Sequence, residues 1–191
     1  MLVGFIGGPC SGKTTSAARL FAEFKDSGQS TEYIAERARW HIAKKKYELL
    51  RRGLESKFVL DDLDQLSILS DQEHAEDVMN QDNIIVITDS CVLNTFLYLG
   101  DNVLNSPSIQ QFGRQVAKRY DVLFVCAPVA RPFGIDPNRV HDEEASRIIH
   151  EKVASLFPLL EGVEVHNLSG TTQARVNIAF GVVMNKFAGL R

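Results

Sequence analysis

A run of residues near the start of the chain has the composition and spacing of a phosphate-binding loop. Gly7-Gly8-Pro9-Cys10-Ser11-Gly12-Lys13-Thr14 fits the pattern G-x-x-x-x-G-K-[ST]. The glycines allow backbone angles that a side chain forbids, so several N–H groups can point into one concavity. Lys13 brings a positive charge to the outer phosphates, and the Thr14 hydroxyl can ligate Mg²⁺. The sequence therefore predicts a site for ATP and Mg²⁺ formed by Gly7, Gly8, Pro9, Cys10, Ser11, Gly12, Lys13, Thr14 and Thr15.

Asp89 is the candidate carboxylate for the metal ion. It directly follows the apolar run Ile84–Thr88, which is typical of a buried strand. Ligands of parallel α/β sheets bind at the carboxyl ends of the strands, and a carboxylate there can hold Mg²⁺ together with Thr14. The alternative is a solvated aspartate in a turn. Because the phosphate loop is present, we favour the functional interpretation.

Glu36 and Arg39 follow a second strand-like run, Tyr33–Ala35. A carboxylate at this position can orient or deprotonate an attacking hydroxyl, and an arginine can neutralise phosphate charge. We therefore predict that Glu36, Arg39 and Asp89 contact the acceptor, with Glu36 or Asp89 as the base. The alternative is an ordinary Arg/Glu pair at the start of a surface helix.

Three arginines are candidates for neutralising a transferring phosphoryl group. Arg131 and Arg139 lie in the proline-rich segment 128–141, and Arg147 lies in the helix predicted after it. A loop can bring such cations to the phosphates only when substrate is bound, so we predict that 128–141 acts as a lid. Arg139 is the first choice and Arg147 the second.

The segment 37–57 is rich in cations. It carries eight arginines and lysines, and Trp40, Ala43, Tyr47, Leu50 and Leu54 form its apolar stripe. Such a cationic flank is typical of a solvated helix face, but it also suits a protein that holds a polyanion beside its acceptor pocket. Further along, Gln65 carries an amide that could hydrogen-bond a base, although the sequence alone does not single it out.

The elements that position these residues alternate between strands and helices. Strand-like runs occur at Leu2–Ile6, Tyr33–Ala35, Ile84–Thr88, Val122–Ala127 and Val163–His166, with helical periodicity between them. The continuous apolar runs Ile84–Ile87 and Val122–Val125 are typical of central strands. We therefore predict an α/β protein: a three-layer P-loop NTPase fold with a parallel sheet of about five strands flanked by helices, in a single domain spanning 1–191.

The composition is that of an ordinary globular protein. The 191 residues are 45% hydrophobic and 24% charged, with a formal net charge of −3, so there is no global cationic field. Cys10, Cys91 and Cys126 have neither a metal-binding nor a disulfide spacing. The sequence has no run of roughly 20 apolar residues and no signal-peptide pattern. We expect a cytoplasmic protein without a membrane partner.

The order of these motifs carries a family resemblance over most of the chain. The phosphate loop, Glu36-x-x-Arg39, the Ile84–Asp89 strand and Asp136-x-x-Arg139 with Arg147 after it resemble the small P-loop kinases related to the ribosylnicotinamide kinase domain of NAD-salvage proteins. They are at least as similar to stand-alone bacteriophage kinases, some of which phosphorylate 5-hydroxymethyluracil within DNA. Only the phosphate loop is highly specific among these motifs.

The resemblance implies a kinase with a nucleoside-type acceptor, and three functions stay open. The first is phosphorylation of the hydroxymethyl group of 5-hydroxymethyluracil in phage DNA, in the cytoplasm of the host. The second is phosphorylation of a free nucleoside such as nicotinamide riboside, although the chain lacks the adenylyltransferase domain of the bifunctional salvage proteins. The third is a P-loop ATPase that regulates a partner. The sequence leaves the oligomeric state open.

Overall fold

The computed structural model describes residues 1–80, 84–129 and 143–189. Its five strands form one parallel sheet in the order β2-β3-β1-β4-β5. The strands are β1 (Leu2–Ile6), β2 (Thr31–Ile34), β3 (Ile85–Thr88), β4 (Val122–Cys126) and β5 (Val165–Leu168). The predicted α/β class and five-stranded parallel sheet are confirmed.

The strand that leads into the phosphate loop lies at the centre of the sheet. Val3 of β1 is opposite Ile87 of β3 on one side and Val122 of β4 on the other. All residues of β1, β3 and β4 are buried, as expected for strands covered on both faces. Because β1 and β3 are neighbours, the residues that follow them meet at the same edge of the sheet.

Helices cover both faces of this sheet. They are α1 (Lys13–Asp26), α2 (Arg37–Arg51), α3 (Asp62–Met79), α4 (Val92–Thr95), α5 (Asp101–Leu104), α6 (Pro107–Ala117), α7 (Glu143–Glu151) and α8 (Thr172–Gly189), and 3₁₀ turns span Glu55–Lys57, Phe96–Tyr98 and Lys152–Leu159. On one face, Leu20 of α1 and Val183 of α8 pack in a cluster with Phe5 and Phe124. On the other face, residues of α3, α4 and α6 pack against Leu2 and Leu123. The result is three layers.

The element boundaries differ from the predictions by a few residues. β1 matches the predicted Leu2–Ile6, whereas β5 starts at Val165, two residues after the predicted start. The predicted helix that contains Arg147 is α-helical only to Glu151, and the 3₁₀ turn that follows includes Pro158, which lacks the N–H that an α-helix needs. Among the described helices, none is long and apolar enough to cross a membrane.

Candidate active site

The phosphate loop connects β1 to α1 and leaves the start of the helix open. Gly12 caps α1 in the left-handed conformation, with φ 81°, a backbone geometry that favours glycine. No side chain caps this helix and no acidic residue lies in its first turn. The N-terminal N–H groups and the positive end of the helix dipole are therefore available to an anion, as phosphate binding requires.

The Lys13 side chain folds back over the phosphate loop and bonds to its first residues. Its side chain is buried, and Nζ donates hydrogen bonds to the carbonyl oxygens of Gly7 at 2.8 Å and Gly8 at 3.0 Å. A Cβ at Gly7 would lie 2.6 Å from Ser11 Oγ, so this close approach requires glycine. The buried hydroxyl of Ser11 has no hydrogen-bond partner among the described residues. Such a compact ring of donors suits a polyphosphate chain.

Asp89 lies beside this loop, as its place after β3 predicts. It is buried, its backbone N–H donates to the Ile34 carbonyl, and its Oδ2 accepts a 3.3 Å hydrogen bond from the Tyr33 hydroxyl. Burial raises the pKa of Asp89, while the nearby Thr14 hydroxyl and Lys13 ammonium act in the opposite direction. Oδ1 is buried without a well-formed hydrogen bond to any described residue.

The residues around Asp89 fit a hard divalent cation. A buried carboxylate oxygen without a partner, beside the Thr14 hydroxyl, offers the oxygen ligands that Mg²⁺ takes, with phosphate and water oxygens completing the shell. Within the described ranges, no group of three His, Cys, Asp or Glu side chains forms an all-protein metal site.

A pocket lies between the start of α2, α3 and the segment after β3, where Ser90, the residue after Asp89, lines it. Glu36, the N-cap residue of α2, lines it, and Glu36 Oε2 accepts a 3.1 Å hydrogen bond from Arg39 Nε. The structure thus brings Glu36 to the pocket and pairs Arg39 with it. The other lining residues are Ala38, Gln65, Ile68, Gln72, Asn94, Thr95 and Tyr98. The buried Gln65 amide is therefore part of the site.

Sequence reasoning missed Asn94, which connects this pocket to the phosphate loop. Asn94 is buried, its Oδ1 accepts a hydrogen bond from the Gly7 N–H, and its Nδ2 donates to Ser90 Oγ, both at 2.9 Å. Ser90 has a positive φ of 67°, which is rare for a residue with a side chain. The only available signal was a polar residue in an otherwise apolar stretch after Asp89.

Arg175 was also missed, although it supports the phosphate loop from α8. Its buried guanidinium donates to the carbonyl oxygens of Gly170, Ser11 and Ala127 at 3.1, 2.6 and 3.0 Å. It therefore ties the loop to the end of β4. The sequence signal was a charged residue on the buried face of α8, next to Val176.

Of the three candidate arginines, only Arg147 falls within the described residues. It is exposed, and its guanidinium forms ion pairs with Glu144 and Glu151 on its own helix. Arg131, Arg139 and segment 130–142, which includes nearly all of the predicted lid, lie outside the described residues. From α7, His150 instead contacts the phosphate loop, since a Cβ on Gly8 would lie 2.9 Å from His150 Cβ. The predicted phosphate contact of Arg147 stays a prediction.

Comparisons with known proteins agree with this architecture. The chain matches a family described as an AAA domain over residues 2–175. A search of the curated proteins gives no match. The fold is similar to that of the NadR protein in complex with NR, at 18% identity and a TM-score of 0.63, and the likeness covers 97% of this chain and 50% of NadR. This chain thus spans about half the length of NadR.

A second similar structure is thymidylate kinase from Ehrlichia chaffeensis. The identity is 19%, the TM-score is 0.59, and the likeness covers 97% of each chain. At such identities the likenesses concern the fold. The family match, by contrast, spans most of the sequence and includes the phosphate loop, Glu36, Asp89 and Arg175. This chain therefore belongs to the AAA domain family.

Proposed function

We propose that the protein is an ATP- and Mg²⁺-dependent kinase that transfers the γ-phosphate to a hydroxyl group of a nucleoside-type acceptor. The observation that carries the proposal is that Asp89 lies close to the phosphate loop and to a residue of the pocket. Thr14 and Lys13 of the loop act on its carboxylate, and so does Glu36, which lines the pocket together with Gln65. A phosphate site and an acceptor pocket this near to one carboxylate suit phosphoryl transfer better than hydrolysis alone.

The residues have distinct roles in this reaction. The loop N–H groups and Lys13 hold the β- and γ-phosphates, and Thr14 and Asp89 hold Mg²⁺, which when bound neutralises phosphate charge. The acceptor oxygen bonds to the γ-phosphorus while the bond from that phosphorus to the β–γ bridging oxygen breaks, and ADP leaves. The hydroxyl proton passes to Glu36 or Asp89. Arg39, paired with Glu36, orients that carboxylate toward the pocket.

The pocket has side chains that can recognise a base. Gln65 carries a buried amide, and Ser90 and Thr95 carry buried hydroxyls. The Gln72 amide is already bonded to Arg37, Glu76 and Thr88 and shapes the pocket wall. Nucleobases and carboxamides present adjacent donors and acceptors, which an amide pairs with in a bidentate way. Because Tyr98 and Ile68 add ring and aliphatic surface, the pocket combines apolar walls with a few polar groups, as ligand sites do.

Two acceptor classes are supported by different observations. The hydroxymethyl group of 5-hydroxymethyluracil in DNA, the acceptor of the bacteriophage kinases that the motifs resemble, is favoured by the cations of segment 37–57 beside the pocket. A free nucleoside such as nicotinamide riboside is the second candidate, favoured by the fold similarity to NadR in complex with NR. The third function, a P-loop ATPase that regulates a partner, would not need an acceptor pocket.

Transfer of labelled phosphate from ATP tests the proposal. The protein is incubated with [γ-³²P]ATP and Mg²⁺, in parallel with DNA containing 5-hydroxymethyluracil, unmodified DNA and a panel of free nucleosides. Label on the modified DNA supports the first acceptor class, and label on a free nucleoside supports the second. Release of inorganic phosphate with no labelled acceptor would overturn the kinase proposal.

A further inference from the structure

Helix α2 presents its aromatic residues to solvent. None of its 15 residues is buried, and Trp40 and Tyr47 are 60% and 59% exposed. The apolar stripe read from the sequence therefore lies on the outer face and does not pack into the core. Ala38, His41 and Lys45 are among the less exposed residues of the helix.

Ion pairs to α3 fix this rotation of α2. His41 Nε2 lies 2.9 Å from Asp64 Oδ1, and Lys45 Nζ donates to the other carboxylate oxygen of Asp64. Both α2 side chains therefore point toward α3. An exposed flank of the helix carries Arg37, Trp40, Lys44, Tyr47 and Arg51, which follow one another at intervals of three or four residues, and we name this set the α2 stripe.

Cations and rings alternate along the α2 stripe and contact one another. Lys44 Nζ lies 5.1 Å from the centroid of the Trp40 ring, and the Arg51 guanidinium lies 5.9 Å from that of Tyr47. Trp40 and Tyr47 remain this exposed although Lys44 and Arg51 lie beside their rings, so part of each ring surface is accessible to a ligand. A ring beside a cation, repeated along a line, matches the bases and phosphates of an unpaired nucleic-acid strand.

We propose that the α2 stripe binds a single-stranded segment of nucleic acid and leads the acceptor nucleotide to the pocket. Arg37 begins the stripe next to Glu36, which lines the pocket, so the two surfaces are continuous. At about 1.5 Å per residue, the 15-residue helix spans roughly 22 Å, enough for several nucleotides. The assignment of the acceptor as a base within a strand rests on the proposed kinase function, whereas strand binding itself does not.

Charge favours a polyanion over a second copy of the chain. Segment 36–57 has eight arginines and lysines against three glutamates, in a chain whose net charge is −3. A symmetric dimer through the α2 stripe would place the same cations against each other, which repels. The phosphates of a nucleic-acid strand neutralise the cations of the α2 stripe, and the counterions of those phosphates are released on binding.

Trp40 provides a direct readout because it is the single tryptophan of the chain. Unlabelled dT₁₂ and rU₁₂ are titrated into the full-length protein at 50 mM salt, and tryptophan emission is followed. Stacking of a base on Trp40 quenches this emission, and we expect saturable quenching by both oligonucleotides. Heparin, which has anionic groups but no bases, should not reproduce it. The absence of quenching by either oligonucleotide, or equal quenching by heparin, would overturn the proposal.

Two variants separate the contribution of base stacking to binding from that of charge. Binding is measured by the fluorescence anisotropy of fluorescein-labelled dT₁₂. Tyr47→Ala should weaken binding about 5- to 100-fold, the loss of one stacked base. Lys44→Ala with Arg51→Ala should reduce the slope of log K against log salt by about 1.4. Phe157→Ala and Lys25→Ala, at exposed positions on other elements, are the matched controls and should bind as wild type does.

Binding that Tyr47→Ala leaves unchanged, or that Phe157→Ala weakens as much, contradicts the proposal. So does a wild-type dimer that becomes a monomer in Tyr47→Ala, since the stripe is then an interface between copies. Strand binding without phosphate transfer to any acceptor would retain this inference and refute the kinase. Transfer to free nucleosides without strand binding would retain the kinase and refute this inference.

Discussion

Asn94 accepts a 2.9 Å hydrogen bond from the backbone N–H of Gly7. Gly7 opens the phosphate loop, and Asn94 lines the pocket. The same amide donates to Ser90 Oγ, so one buried side chain holds the loop and the residue after Asp89 at a fixed separation. Asn94 therefore connects the proposed ATP site to the proposed acceptor site through two hydrogen bonds.

Breaking this connection should impair ATP use. Asn94→Leu leaves the Gly7 N–H and the Ser90 hydroxyl without their partner, and a buried unpaired group costs about 1–3 kcal/mol. We expect kcat/KM for ATP to fall about 10- to 100-fold in steady-state assays. Asn177→Leu is the control, because the Asn177 side chain bonds to Gln173 on the exposed side of α8. Equal kinetics for Asn94→Leu and wild type would refute the coupling.

Gln65 should determine how well the acceptor binds. If its amide pairs with the base, Gln65→Leu removes one or two hydrogen bonds, and the KM for the acceptor should rise about 10- to 100-fold. The KM for ATP should stay unchanged, because Gln65 lines a pocket to which no residue of the phosphate loop contributes. Initial rates at varied acceptor and fixed ATP measure this. A rise in both KM values, or in neither, would contradict the role.

Glu76 bonds to Gln72, which lines the pocket, and we expect it to contribute to the stability of the fold. Its buried carboxylate accepts hydrogen bonds from Thr88, Gln72, Tyr120 and the Val92 backbone. Glu76→Gln keeps the volume but turns an amide N–H₂ toward these donors. We expect the free energy of unfolding in urea to fall by about 2–3 kcal/mol.

The matched control for this change is Glu151→Gln. Glu151 is exposed and paired with Arg147 across solvent, so its loss should have little effect on stability. Equal unfolding midpoints for the two variants would show that the Glu76 network contributes little.

Asp64 should make stability depend on pH in the acid range. Partial burial works to raise its pKa, but hydrogen bonds from Lys45 and His41 outweigh this and lower the pKa of Asp64 to about 2, from an unfolded value of 3.8. The unfolded chain therefore binds the proton first as pH falls. The stabilisation is complete above the unfolded pKa and is lost as pH falls from about 4 to about 2.

Asp64→Asn removes this contribution. We expect the variant to be less stable than wild type at pH 6, with a difference that shrinks as pH falls through that window, as followed by urea unfolding at several pH values. Asp71→Asn, at an exposed position of the same helix, should follow the wild-type profile. A constant difference between Asp64→Asn and wild type from pH 6 to pH 2 would contradict the ion-pair account.

The sequence was sufficient where one local pattern determines the structure. The apolar run Leu2–Ile6 and the glycine pattern after it placed β1 and the loop, and the rule for strand ends placed Asp89 beside them. It was insufficient where distant contacts decide. Arg175 binds the Ser11 carbonyl 164 positions away, and no local pattern encodes that pair. Likewise, the rotation of α2 depends on Asp64, so its apolar periodicity did not reveal which face contacts α3.

The central claim is that phosphate leaves ATP for an acceptor hydroxyl and not only for water. The most direct test measures ADP and phosphorylated acceptor together, by chromatography, in wild type and Lys13→Ala. The account predicts equal amounts of the two products with wild type, and a rate about 100- to 1000-fold lower in a Lys13→Ala variant that keeps its fold. ADP without phosphorylated acceptor, or an unchanged rate in Lys13→Ala, would contradict it.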